Sequence, residues 1–249
     1  MGSNALQDLN MAGVRWELAE TPKKNESKKD AIQQSLVGVP NRQPSHPIVI
    51  PPAAPINLDT VKPMVEHTND INSLIRMITE FNHPLRDNAT NVVLPNIATE
   101  PNQILIITDI PSMDDDLSGQ ILSGAAGELM DKMLSAIGMS RNNVSITPLV
   151  FWRTPGGRTP TREELDLVRP FVDKMIKMLS PRVIVTLGTL SASEIAQTKL
   201  TDMHGDEIKT DKGYVIVPIY HPNYLILKPS AKRDVWTALQ KVQNLLKIM

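Results

Sequence analysis

The chain has no cysteine among its 249 residues, which excludes disulfides, thiolate metal sites, iron–sulfur clusters and a cysteine nucleophile. It has no apolar run near the ~20 residues needed to cross a bilayer, and its N-terminus shows no basic-then-apolar leader pattern. A charge bias is missing too. Lys and Arg number 26 against 27 Asp and Glu, a net charge of −1, so the whole chain argues neither for nucleic acid nor for a membrane surface. The five histidines, at positions 46, 67, 83, 204 and 221, show no zinc spacing, so neither a metal nor a cofactor is expected. The default expectation is a soluble protein of the cytoplasm.

What is present is organised around the stretch from Gln103 to Met130. Ile104 to Ile107 are four consecutive branched residues, too few for a buried helix and without polar alternation, as a strand covered on both faces requires. Asp109 follows at once, then Ile110, Pro111 and Ser112, the carboxylates Asp114, Asp115 and Asp116, and a small-residue segment that opens a helix. Polar groups just past the C-terminal end of a parallel strand occupy the place where open α/β sheets hold ligands.

Residues 1–20 can form an amphipathic helix with Leu6, Leu9, Val14 and Trp16 among its apolar positions. Residues 21–66, with two lysine pairs and clustered prolines, read as a flexible linker that cannot bury enough apolar surface to order itself. The folded domain is expected over residues 67–249. Thr68-Asn69-Asp70 can cap a first helix there, and the central strand over 104–107 is followed by a helix to Ile137. A second strand over 143–150 has Pro148 at its end or beside a bulge. A capping box at Thr161 and Glu164 opens a helix to Leu179, and strands follow over 183–188 and 214–219. Residues 201–213 read as a polar excursion. Strands alternating with helices predict an α/β fold, a three-layer αβα sandwich around a mainly parallel four-stranded sheet.

Taken singly, the polar residues have ordinary explanations. His221 follows a buried strand and precedes Pro222, which can set its ring at the ligand edge of the sheet or leave it a loop histidine. Asp109 can orient a water or be a turn aspartate. The run Asp114 to Asp116 lacks metal-ligand spacing and reads as a solvated loop. Arg153 and Arg158, with Gly156 and Gly157 between them, suit close approach of a phosphate backbone. From residue 221 onward Lys228, Lys232, Arg233, Lys241 and Lys247 face only Asp234, a local positive balance that favours a polyanion.

Three loops in this order resemble the uracil-DNA glycosylase superfamily, and within it the type-four iron–sulfur branch of bacteria and archaea. Thr108-Asp109-Ile110-Pro111-Ser112 and Gly119 to Gly127 are similar to that branch's Gly-Glu-Ala-Pro-Gly and Gly-x-Pro-Phe-x-Gly-x-Ala-Gly. Arg153 to Pro160 resembles its Arg-Pro-Pro-Gly-Asn-Arg-x-Pro, and His221-Pro222-Asn223-Tyr224-Leu225 resembles its His-Pro-Ser-Tyr-Leu. The resemblance spans roughly residues 85 to 245. It implies that His221 and Asp109 are catalytic, and that Ile110, Pro111, Ser112, Leu122 and Pro148 line the base pocket. It further implies that Arg153, Gly156, Gly157, Arg158, Asn223, Lys228, Lys232 and Arg233 face DNA.

The departures are chemical. The family's uracil-stacking phenylalanine falls at Leu122, which has no π-face, and its base-reading asparagine falls at Pro148. Two cluster cysteines are replaced by Trp152 and Val168, where a hydrophobic plug is expected. Two readings therefore stand: a glycosylase of base-excision repair that flips a deaminated base, or a degenerate homologue that binds DNA or a partner. A nucleotide-binding protein unrelated to DNA lacks the expected Gly-rich phosphate loop.

Overall fold

The structure, a computed structural model, describes residues 58–99 and 103–247. The expected helix over residues 1–20, and the linker as far as residue 57, lie outside the described residues. Short branched runs make the strands β1 (Ile104–Thr108), β2 (Ser145–Pro148), β3 (Val183–Leu187) and β5 (Val215–Ile219), with the two-residue β4 (Ile208–Lys209) before the last. Their order across the sheet is β2-β1-β3-β5-β4. The four longer strands are parallel, and β4 pairs antiparallel with β5. The sheet thus has five strands rather than the expected four, the extra one lying inside the polar segment 201–213.

The helices are α1 (Leu58–Glu66), α2 (Ile71–Glu80), α3 (Met113–Ser118), α4 (Gly124–Ala136), α5 (Arg162–Leu179), α6 (Thr189–Ser191), α7 (Leu200–Met203), α8 (Pro222–Leu227) and α9 (Lys232–Lys247). Two strand faces feed two apolar layers. Ile104, Ile106, Val185, Leu187 and Val217 pack with α4, α8 and α9 through Met130, Leu134, Leu225, Val235 and Leu239. Leu105, Ile107 and Ile184 pack on the other side with α1, α2 and α5 through Val61, Leu74, Ile78, Phe171 and Val172. Each fully buried aliphatic or aromatic side chain of this kind contributes roughly 1.5–3 kcal/mol, and covering both faces explains why β1 and β3 are apolar at nearly every position.

Local signals set the helix ends. The Asp70 carboxylate accepts from the backbone N–H of Ser73 at the start of α2, and the Thr161 and Glu164 side chains close a reciprocal box at the start of α5. Pro148 ends β2, which is an edge strand where a missing N–H costs no ladder bond. Helix α1 falls within the stretch read as linker, yet buries Val61 and Val65 in the α5 layer.

The chain passes from β1 to β2 on one side and returns to β3 on the other. The sheet therefore reverses its strand order between β1 and β3, the place where an open α/β sheet leaves a crevice at its C-terminal edge.

Candidate active site

Asp109 leaves β1 at that crevice. Its Oδ1 accepts the Ser191 N–H at 2.7 Å and its Oδ2 accepts the Leu190 N–H at 3.2 Å. The carboxylate therefore closes the first turn of α6, bridging the ends of β1 and β3. Gly188 makes this possible: a Cβ there, at φ 111°, would lie 2.3 Å from Asp109 Oδ2. Each carboxylate oxygen has accepted one N–H and retains a further acceptor site.

The loop after β1 is held by acids that the sequence reading placed in solvent. Met113 to Ser118 is helix α3, not loop, and Asp115 and Asp116 are both buried. Asp115 Oδ2 accepts the Ser112 N–H at 2.9 Å, and its Oδ1 accepts the N–H and hydroxyl of Ser123 at 2.6 and 2.8 Å. Asp116 Oδ1 accepts the N–H groups of Thr90 and Asn91. These bonds satisfy both buried charges with backbone donors, and they fix Ser112 against the start of α4. Asp114 remains exposed.

Leu122 sits between α3 and α4 in a left-handed conformation, φ 51°, and is fully buried. That is an unfavourable backbone for a residue with a Cβ, and its surroundings impose it. Arg141 donates to the Ile121 and Leu122 carbonyls and pairs with Asp131. A Cβ on Gly127 would lie 1.8 Å from the Leu122 carbonyl oxygen. Leu122 packs in the α4/α8/α9 layer, whereas Ile110 packs in the α1/α2/α5 layer, so these two expected pocket residues do not share an apolar cluster. Pro111 and Pro148 are buried, Ser112 half-buried, and Pro148 lies in register with Thr108.

His221 ends the segment after β5 and caps α8. Its Nδ1 accepts the Asn223 N–H at 3.2 Å, so in the neutral ring the proton is on Nε2. Burial holds the His221 pKa below 6.5, while the carboxylates of Asp109 and Asp115 pull it upward. Both carboxylates thus act on one imidazole, which the structure brings to the same edge.

The loop after β2 separates its two arginines. Arg153 is half-buried, and no side chain among the described residues pairs with it. Arg158 forms a fork with Glu164, Nη1 to Oε2 at 2.8 Å and Nη2 to Oε1 at 2.6 Å, which anchors the loop to α5. Gly156 and Gly157 are exposed in left-handed conformations, φ 64° and 72°. Asn223, Lys228 and Arg233 are exposed and Lys232 is half-buried, along α8 and the start of α9.

Trp152 and Val168 are both buried in one apolar cluster with Phe81, Phe151 and Phe171. The Trp152 ring stacks on His83 with 4.9 Å between centroids and 3° between planes. His83 Nδ1 accepts the Leu85 N–H at 3.1 Å, so its Nε2 donates to the Glu164 carbonyl at 3.0 Å.

Sequence reasoning missed the Asp109 bonds to α6, which join positions 82 and 81 residues apart, and the Arg141 brace. It also missed the contacts among the rings of His204, Tyr220 and Tyr224, the first pair stacked and the second tilted; the spacing of two tyrosines around a histidine was the available signal. Among the described residues no group of three or more His, Asp or Glu could hold a metal ion, and no helix is long and apolar enough to cross a membrane.

Comparison with known proteins bears on this edge. Residues 95–243 match the family model described as the uracil DNA glycosylase superfamily. The chain is 31% identical over 172 residues to a type-4 uracil-DNA glycosylase of Archaeoglobus fulgidus, covering 65% of this chain and 85% of that protein. It is 32% identical over 171 residues to the enzyme of that name from Thermotoga maritima, covering 66% and 88%. A third, from Pyrobaculum aerophilum, is 33% identical over 140 residues, covering 53% and 71%. With its sheet, its three loops and this match together, the chain belongs to the uracil DNA glycosylase superfamily.

Proposed function

We propose that the chain is a DNA glycosylase of base-excision repair that hydrolyses the N-glycosidic bond of a deaminated base extruded from DNA. The observation that carries this reading is the Asn223 N–H bond to His221 Nδ1. It leaves the proton of the neutral ring on Nε2, and burial lowers the pKa of that ring. When the glycosidic bond breaks, its electron pair passes to the base and the negative charge spreads to a ring carbonyl oxygen. A fixed neutral donor aimed at that oxygen stabilises the leaving anion without the cost of reorganising solvent.

The sugar is left with oxocarbenium character. Asp109 faces it as a fixed negative charge, and the free acceptor sites of its carboxylate can hold the attacking water. Each oxygen of that carboxylate already accepts one N–H, so its part is to orient the water and to offset positive charge. The water oxygen bonds to the anomeric carbon as the C–N bond breaks, one water proton passes through solvent to the departing base anion, and a free base and an abasic sugar result.

Leu122 and Pro148 favour a second reading, a homologue that binds DNA without excising a base. Leu122 presents no π-face and is fully buried, and Pro148 has neither an amide side chain nor an N–H. Oligonucleotides carrying uracil, hypoxanthine or xanthine decide between the two. Release of any of these bases, lost in His221→Ala, supports the glycosylase; DNA binding with no release of any base supports the second reading.

A further inference from the structure

Beside His221 the rings of His204, Tyr220 and Tyr224 form a ladder that climbs out of the fold. His204 and Tyr220 stack at 4.0 Å between centroids and 23° between planes, and Tyr220 meets Tyr224 at 4.8 Å and 39°. The Lys228 ammonium lies 5.8 Å from the Tyr224 centroid, at the outer end. Tyr224 is 38% exposed and Leu227, on the same short helix, 84% exposed. The other face of α8 is ordinary core, with Pro222 and Leu225 buried.

A helix of six residues that turns an aromatic ring and a leucine to water is paying a solvation cost that its own packing does not explain. The chemistry around it selects the occupant. Lys228, Lys232 and Arg233 follow within a few residues, with Asp234 the one acid in that stretch of sequence, and Asp206 joins Asp234 in acting on His204 at the inner end. Rings beside cations match a chain of flat bases joined by phosphates.

We propose that Tyr220, Tyr224 and Lys228 form a stacking platform for an unpaired nucleotide next to the extruded one, so that this face of α8 binds single-stranded DNA. The base lies on the Tyr224 ring in the place of the Lys228 ammonium, which swings on its flexible stem to the adjoining phosphate. His204 and Tyr220 act from beneath as positioning residues, holding the Tyr224 ring at a fixed tilt. A base in a paired duplex keeps its stacking partners on both sides and cannot use the ring, so the platform discriminates by strandedness rather than by sequence.

This rests on DNA being the substrate, and the test keeps the two apart by using a strand with nothing to excise. Fluorescence anisotropy of the full chain is measured with a labelled oligothymidylate of about 12 nucleotides, within the span such grooves cover, and with the same strand annealed to oligodeoxyadenylate. The parent should bind the single strand more tightly. Tyr224→Ala should lose about tenfold or more of that affinity, with duplex binding unchanged, and Tyr224→Trp should keep it. Thermal melts of Tyr224→Trp should match the parent, and Tyr224→Ala should stay folded with a small drop in midpoint, because the inner side of the ring packs on Tyr220.

Equal single-strand affinity for Tyr224→Ala and the parent overturns the proposal, as does a parent that prefers duplex or binds no single strand. A parent that self-associates through this face, with dissociation on Tyr224→Ala and no strand preference, overturns it in favour of a second copy as occupant. A Tyr224-dependent strand preference without excision of any base leaves the platform in place and removes only the catalytic reading.

Discussion

The backbone N–H of Asn223 donates to Nδ1 of His221, and that one bond fixes which ring nitrogen carries the proton. An imidazolium would have to give up this bond, because both of its nitrogens are donors. Burial acts in the same direction, holding the pKa below 6.5. The neutral ring is thus the form above that value and is lost as pH falls through the depressed pKa of the folded protein. Excision should be level through neutral pH and fall along an acid limb whose midpoint lies below 6.5. A profile of kcat/KM against pH checks this; activity that rises as the buffer is acidified would contradict it.

His83 gives a stability counterpart remote from the reaction. Its ring is buried, one nitrogen accepting from Leu85 and the other donating to Glu164, and burial lowers its pKa below 6.5. Since the unfolded ring takes up a proton first, the stabilisation is complete above about 6.5 and declines as pH falls toward the folded value. Urea midpoints of the parent should therefore drop between pH 7 and pH 5 more than those of His83→Phe. That variant loses two buried hydrogen bonds and should be less stable at pH 7 by about 1–3 kcal/mol, but with a flatter pH dependence.

Leu122→Phe would supply the π-face that the family's pocket carries, yet it should not restore uracil excision. Leu122 is fully buried at φ 51° with the Gly127 backbone against its carbonyl, so a larger ring overpacks the core at a cost of about 1–3 kcal/mol. Thermal melting and uracil release measured together check this. A Phe variant of parental stability with fast excision would mean that this position opens to the base.

The strands were legible because each is a run of branched residues between turn signals, and so were the helix caps at Asp70 and Thr161. What escaped is buried charge. Asp115 and Asp116 look like solvated residues, and the backbone N–H groups and the Ser123 hydroxyl that meet them in space account for their burial. Helix α1 escaped because prolines around residues 51–63 mask the spacing of Val61 and Val65. At the candidate site the bonds from Asp109 to α6 escaped as well, because they join residues 81 and 82 positions apart.

The pairing of Arg158 separates two kinds of cation. Replacing Lys232 and Arg233 with glutamate should weaken DNA binding and flatten its dependence on salt, since each lost phosphate contact releases fewer counterions. Arg158→Ala should instead loosen the loop and lower the melting temperature, leaving the salt slope near the parent's. Anisotropy titrations across salt concentrations distinguish them, and a slope that changes only in Arg158→Ala would move the docking surface to that loop.

The central claim is that His221 and Asp109 still act on a base already out of the stack, while the parts that read and hold uracil are weakened. A lost stacking ring forfeits about 1–3 kcal/mol and a lost base-edge contact a similar amount, together a few powers of ten at about 1.4 kcal/mol each. Uracil release under single turnover, from a single strand and from the same strand paired in duplex, tests this most directly. We expect slow release that favours the single strand, little or none from paired duplex, and none from either with His221→Ala. Rapid excision from paired duplex, or a His221→Ala variant as active as the parent, would contradict the account.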